Sequence, residues 1–260
     1  MFVKPKKSLG QHFLNDLAVA EKIVESLQIA EDETPVIEIG PGMGVLTNFL
    51  IPKLGNRLFL NELDREAIAY IKMKYPSFGS RLLEGDFLRL KLRDHFPGPF
   101  AIIGNFPYNI SSQIFFAVLD NKDRVTQVVC MLQKEVAVRL ASKPGNKDYG
   151  ILSVLLQAFY TIEYLFQVEE HQFNPPPKVK SGVIRLKRNE VQALDCDEKL
   201  FKIVVKQGFN NRRKTLCNAL KPLSLPETIV RLPLLDKRAE QLSVNDFIGL
   251  TKAIEQEKAA

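Results

Sequence analysis

The chain is expected to fold as an α/β protein: a doubly wound sheet in residues 1–189, followed by a small all-helical domain in residues 190–260. Three observations predict this. Apolar strand-like runs alternate with helical patterns as far as Arg188, as a doubly wound sheet requires. Four of those runs end in order on residues that carry chemistry, and ligands of open α/β sheets bind outside the carboxyl ends of the strands. Beyond Asn189 the pattern changes to helices only, punctuated by Pro222, Pro226 and Pro233.

The first apolar strand, Pro35 to Ile39, runs into Gly40-Pro41-Gly42-Met43-Gly44, and a helical pattern follows from Val45 to Leu54. Glycines at that junction let the backbone turn tightly and approach a nucleotide without Cβ clashes. Val45 stands where a dinucleotide fingerprint wants its third glycine, which argues against NAD or FAD. The second run, Arg57 to Asn61, ends at Glu62, placed to accept the protons of both ribose hydroxyls. A helical pattern spans Asp64 to Lys74, and the third strand, Arg81 to Gly85, ends at Asp86, a candidate acceptor for an adenine amino group. Taken singly, each acid reads as a cap or a solvated turn residue. The series of strand ends makes them one site.

The fourth run, Phe100 to Gly104, leads into Asn105-Phe106-Pro107-Tyr108. An exocyclic amine carries two N–H donors, so a pocket that recognises it needs two coplanar acceptors, here the Asn105 side-chain oxygen and the Phe106 carbonyl. Pro107 lacks an N–H and pushes Phe106 to an extended conformation, which holds the backbone open. Tyr108 offers a face to the base, and stacking returns about 1–3 kcal/mol of what an extruded base loses. Helices are expected over Ser111 to Leu119 and Lys134 to Ser142, with a strand at Thr126 to Leu132 between them. Lys143 to Asp148 reads as a polar turn-rich loop. A helix near Ile151 to Phe159 follows it, and then strands at Ile162 to Val168 and Val183 to Arg188, joined by a hook at Pro175 to Pro177. Helical segments near Glu198 to Phe209, Lys214 to Leu220 and Val244 to Glu257 complete the chain.

Five motifs fall in a telling order: Gly-Gln-His-Phe-Leu at 10–14, Glu-Ile-Gly-Pro-Gly at 38–42, Asn-Phe-Pro-Tyr-Asn-Ile-Ser at 105–111, Phe-Asn-Pro-Pro-Pro-Lys-Val at 173–179 and Phe-Asn-Asn-Arg-Arg-Lys-Thr-Leu at 209–216. In these the chain resembles the small-subunit (16S) rRNA adenine N6,N6-dimethyltransferases, the KsgA/RsmA family. The resemblance implies a Rossmann-like class I methyltransferase sheet with S-adenosylmethionine as methyl donor. It also implies, as substrate, two adjacent adenosines in a hairpin loop near the 3′ end of small-subunit rRNA, in ribosome biogenesis. Carried over by position, the cofactor contacts fall on His12, Leu14, Gly40, Glu62, Asp86 and Asn105. Asn105, Phe106, Pro107 and Tyr108 would handle the target base, with Phe173, delivered by the hook, closing an aromatic sandwich against Tyr108. Two positions depart from the usual pattern: Phe106 where bacterial members usually have Leu, and His12 where many have Asn.

Composition fits this picture. Of 260 residues, 45% are hydrophobic and 25% charged, as suits a globular enzyme of one large and one small domain. Cys130, Cys196 and Cys217 match no metal or redox spacing and point to a reducing compartment; a cytoplasmic, metal-free enzyme is expected, and a monomer. No apolar leader segment follows the first residues, and charges interrupt every apolar run well short of the ~20 residues a bilayer span needs. The net charge of +6 is modest for a nucleic-acid binder, but it is clustered. Lys4, Lys6 and Lys7 form a basic arm, Lys178 and Lys180 follow the hook, and Arg212, Arg213 and Lys214 open a helical pattern. Such clusters release counterions on binding a phosphate backbone, and Lys178, Arg212, Arg213 and Lys214 are the expected RNA contacts. The partner that the resemblance implies is small-subunit rRNA within a pre-30S particle, without membrane or metal. Two other readings stay open: a large-subunit rRNA adenine N6-methyltransferase of the antibiotic-resistance type, and a non-catalytic RNA or transcription factor on the same fold.

Overall fold

The structure, a computed structural model, describes residues 3, 5, 6, 9–29 and 34–259. Lys4 and Lys7 of the expected basic arm lie outside the described residues. The chain divides into two compact units, Met1–Ala137 with Thr161–Arg188, and Val138–Tyr160 with Asn189–Ala260.

The first unit begins with a short strand, β1 (Phe13–Leu14), and helix α1 (Leu17–Glu25), whose N-cap Asp16 accepts from the Val19 amide. There follow β2 (Val36–Ile39), α2 (Thr47–Leu54), β3 (Leu58–Glu62), α3 (Arg65–Lys74), β4 (Leu82–Glu84), the single turn α4 (Leu92–His95), β5 (Phe100–Asn105), α5 (Ser111–Asp120), β6 (Val125–Gln133) and the start of α6 (Lys134–Ala141). Most of β7 (Tyr160–Val168), then β8 (Phe173–Asn174) and β9 (Ser181–Arg188), complete it. The main sheet has seven strands in the order β4-β3-β2-β5-β6-β9-β7. From β4 to β6 neighbouring strands run parallel, and β9 is antiparallel to β6. Chain order reverses between β2 and β5, so the ligand crevice of such a sheet belongs at the carboxyl ends of these two strands. Their approach there is close: a Cβ on Gly104 would sit 2.6 Å from the Ile39 carbonyl oxygen, so no side chain fits.

The second unit holds the end of α6, α7 (Ile151–Gln157), α8 (Glu198–Asn210), the single turns α9 (Leu216–Ala219) and α10 (Glu227–Val230), and α11 (Val244–Ala259). A single boundary at residue 189 was expected; instead Val138–Tyr160 also belongs here. Hydrogen bonds give the reason. The Gly145 amide donates to the Glu240 carbonyl at 2.7 Å. Arg212 donates to the carbonyls of Lys147 and Tyr149 at 2.7 and 2.6 Å, and Tyr149 packs edge-on against Phe209. An amphipathic pattern announces α7 as a helix but does not say which core takes its apolar face.

The expected role of Phe173 is also corrected. Strand β8 pairs antiparallel with β1, setting Phe173 opposite Leu14, and both side chains are buried in the same apolar cluster as Ile23, Val36 and Leu60. At 2% exposure Phe173 has no free ring face for a base. Phe173→Ala should therefore destabilise the fold by about 3–5 kcal/mol, the usual cost of emptying a buried Phe site, while the fraction that stays folded keeps its specific activity. Thermal melts paired with activity per folded molecule check this; a normal melt with lost methyl transfer would restore the clamp.

Candidate active site

A cavity of ≈ 240 Å³ opens at the carboxyl ends of β2, β3, β4 and β5, all within the first unit. His12, Gly40, Glu62, Asp86, Asn105, Phe106, Pro107 and Tyr108 line it, so most of the residues singled out from the sequence meet at one place. Leu14 and Phe173 do not; their side chains lie in the core.

The glycine loop is built for close approach. Gly40, Gly42 and Gly44 all take positive φ, and a Cβ on Gly42 would come within 2.9 Å of the Phe13 ring. The Gly42 amide donates to Glu62 Oε2 at 3.0 Å. Glu62 Oε1 accepts from the amides of Leu63 (2.8 Å) and Asp64 (2.9 Å), so the carboxylate at the tip of β3 is fixed by three backbone donors. Burial raises its pKa, and those amides oppose the rise. Asp86 caps the turn that follows β4, accepting from the Leu88 amide at 3.0 Å, and faces the same cavity.

Two polar residues here had no assigned role from the sequence. Asn61 donates through Nδ2 to the carbonyls of Leu83 (2.9 Å) and Gly85 (3.0 Å), which sets the end of β4 beside that of β3. Glu38 is 1% exposed inside β2, and Thr47 Oγ1 donates to it at 2.6 Å. Burial pushes Glu38 up to about 8; the Thr47 hydrogen bond opposes that and the nearby Glu62 adds to it. The available signal was an acid inside the apolar run Val36-Ile37-Glu38-Ile39.

At the end of β5, Asn105 Nδ2 donates to the His12 carbonyl at 2.9 Å. A carbonyl can only accept, so the amide orientation is fixed and Oδ1 is left to receive a donor. The Phe106 amide donates to the Met131 carbonyl at 2.9 Å and its ring packs in the core against Phe115, so this residue can act only through its backbone. Tyr108 shares a 2.6 Å hydrogen bond with Ser181, and its ring stacks on that of His12, centroids 5.3 Å apart. Burial raises the Tyr108 phenol and keeps it neutral, with the Ser181 hydrogen bond opposing.

The basic residues divide. Lys6 is spent on an ion pair with Asp64 at 2.6 Å and another with Glu66 at 3.1 Å; it fastens the N-terminal segment rather than offering a charge to RNA. Lys178 is exposed on the hook, and Lys180 pairs with Glu169 at 3.0 Å. In the second unit, Arg212, Arg213 and Lys214 stand in the turn after α8, before the short helix α9 rather than on it. Arg212 holds the two carbonyls already described, whereas exposed Arg213 has no hydrogen bond or ion pair among the described residues.

A family model described as ribosomal RNA adenine dimethylase matches residues 3–256. The chain belongs to this family. It is 56% identical over 252 residues to a ribosomal RNA small subunit methyltransferase A of Cytophaga hutchinsonii, covering 97% of this chain and 98% of that one. Identity to the protein of the same description from Parabacteroides distasonis is likewise 56%, over 96% of this chain and 93% of that one. Among solved structures, a dimethyladenosine transferase from Plasmodium falciparum superposes with a TM-score of 0.80 at 25% identity, covering 95% of this chain and 98% of that one. The 23S rRNA methyltransferase ErmE shares the fold, with a TM-score of 0.67 at 24% identity over 92% of this chain and 99% of that one. The chain is thus an enzyme of the class I methyltransferase fold that dimethylates adenine in rRNA with S-adenosylmethionine. The site fits that cofactor: a cavity bordered by the positive-φ glycines Gly40 and Gly42, and a carboxylate fixed at its edge that can accept from hydroxyl groups.

Two outcomes follow from the buried acids. Glu62→Ala should weaken S-adenosylmethionine binding more than about tenfold, since a hydrogen bond to a charged group is worth roughly 1.5–3 kcal/mol; calorimetry giving unchanged affinity would remove the ribose assignment. For Glu38 the folded-state pKa, about 8, lies above the ordinary carboxyl value of 4.5. Its contribution to stability is fully present below the lower value and is lost as pH rises through the higher one. Glu38→Gln should therefore gain stability relative to wild type between pH ~5 and ~8; parallel denaturation curves across that window would refute the buried, protonated acid.

Proposed function

We propose that this enzyme dimethylates two adjacent adenosines in a hairpin loop near the 3′ end of small-subunit rRNA, acting as a cytoplasmic monomer on a pre-30S particle. The observation that carries the choice of subunit is the 56% identity, over nearly the whole chain, to proteins described as small-subunit methyltransferases. The likeness to a 23S enzyme extends to the fold alone.

The chemistry derives from the residues at the end of β5. The adenine N6 lone pair is delocalised into the ring and is a poor nucleophile. Acceptors at Asn105 Oδ1 and the Phe106 carbonyl bind both N–H groups and favour a more tetrahedral nitrogen, whose lone pair then points out of the ring plane. S-adenosylmethionine, when bound, supplies an electrophilic methyl group on a sulfonium. Gly42 and Glu62 fix where that methyl lies, Asn105 fixes where the amine lies, and alignment of the two lowers the barrier to in-line transfer. Tyr108 presents its π face to the base as positive charge develops on nitrogen.

Asn105→Ala should abolish turnover and keep most of the RNA affinity, because it removes one acceptor of the reacting amine and no phosphate contact. Mapping methylated positions on small-subunit particles, naked small-subunit rRNA and large-subunit rRNA tests the substrate; modification confined to large-subunit rRNA would overturn the proposal. The two arginines should separate. Arg213→Ala is expected to lower the slope of log affinity against log salt by about 1 without changing stability. Arg212→Ala, which frees the carbonyls of Lys147 and Tyr149, should lower the melting temperature. Equal salt slopes for wild type and Arg213→Ala would show that this arginine does not meet phosphate.

A further inference from the structure

We propose that Asn61 is a positioning residue for cofactor recognition, setting Asp86 at a fixed place relative to Glu62. The inference rests on reading Glu62 as the acceptor of the ribose hydroxyls and Asp86 as the acceptor of the adenine amino group. Asn61 stands in β3 immediately before Glu62 and is 2% exposed. A polar side chain so buried is costly unless it is hydrogen-bonded. Its amide nitrogen carries two hydrogens, and both are spent: one on the Leu83 carbonyl at 2.9 Å and one on the Gly85 carbonyl at 3.0 Å. Strands β3 and β4 already pair through their backbones, with Asn61 opposite Leu83 and Glu62 opposite Glu84. The side chain therefore adds a hold one residue past the point where pairing stops.

That residue, Gly85, is where a hold is needed. Its φ is +124°, and nothing lies within 4 Å of the place a Cβ would take, so packing does not fix it. Two hydrogen bonds do: its amide donates to the Glu62 carbonyl at 2.8 Å, and its carbonyl receives Asn61. The Gly85 carbonyl belongs to the peptide that joins Gly85 to Asp86, so orienting it sets the direction in which Asp86 leaves the strand. Asp86 then accepts from the Leu88 amide through Oδ1, and exposed Arg89 reaches Oδ2 only at 3.7 Å, which leaves that oxygen able to accept. Two consecutive residues of β3 thus carry both halves of the spacing. The Glu62 carboxylate is fixed by the amides of Gly42, Leu63 and Asp64, and Asn61 fixes the peptide that presents Asp86.

Calorimetry on the full-length enzyme tests this by comparing S-adenosylhomocysteine, the product of methyl transfer, with its inosine counterpart, in which an oxygen replaces the amino group. Wild type should favour the adenine compound by at least about tenfold, since the exchange removes a donor to a charged acceptor. Asn61→Leu, which keeps the volume and removes both donors, should cut that preference at least about threefold as the bond to Asp86 weakens. The loss should fall on the adenine compound, with the inosine compound bound as tightly as by wild type. An unchanged preference would overturn the proposal. Equal losses for both compounds would do the same, because they would make Asn61 a brace for the sheet with no part in base recognition. Should Asn61→Leu not fold, Asn61→Ala, which removes the same donors without the branched side chain, is measured in its place. Failure of both to fold would assign Asn61 to stability and also overturn the proposal. Asp86→Ala separates this from failure of the reading beneath it. Preference lost in Asp86→Ala but kept in Asn61→Leu sinks the positioning role; preference kept in Asp86→Ala, or absent from wild type, sinks the assignment of adenine to Asp86.

Discussion

Glu62 accepts three backbone amides, and the arrangement of the cavity depends on that. With Gly42 on one oxygen and Leu63 and Asp64 on the other, the carboxylate joins the glycine loop after β2 to the turn after β3. Asp64 passes the connection on: it caps α3 through the Glu66 amide and pairs with Lys6 of the N-terminal segment. One buried acid thereby relates three stretches of chain that are far apart in sequence. Three N–H donors are also what lets a carboxylate remain at a buried position, since burial alone disfavours its charged form.

Glu38 shows the opposite balance. It lies in the interior of β2 with one hydroxyl donor, and burial raises its pKa much further. The two acids occupy adjacent strands on the same side of the switch point, and repulsion from Glu62 adds to the rise at Glu38. The difference comes from the number of amides each meets, which follows from one ending its strand and the other lying inside it.

The other side of the cavity is closed by residues 9–14. This segment crosses the ends of the strands, contributes His12 and Phe13 to the lining, and is anchored by Lys6 at one end and by pairing with β8 at the other. The ends of β2, β3, β4 and β5 are therefore faced by one strip of chain. Loss of an anchor reaches them through geometry, without removal of any group that touches a ligand.

The alternation of strands and helices, the glycine loop, Glu62, Asp86 and Asn105 through Tyr108 were all legible in the sequence. Each is local: a glycine after a strand needs positive φ, and an acid or amide at a strand end faces a crevice by topology alone. Phe173 and Lys6 were read less well, because burial and pairing are properties of neighbours. Phe173 and Leu14 belong to motifs yet turn their side chains to the core, because β1 and β8 pair across a long separation. Lys6 and Arg212 look like free charges in a list of residues; Asp64 and the carbonyls of Lys147 and Tyr149, which occupy them, come from distant segments. The attachment of Val138–Tyr160 to the C-terminal helices is of the same kind. By itself the sequence determined which residues end the strands and in what order, because the period of each element and its terminal residues are set locally. Which of them face the ligand and which hold the others in place was decided by tertiary structure, because partners distant in sequence fix burial and hydrogen bonding.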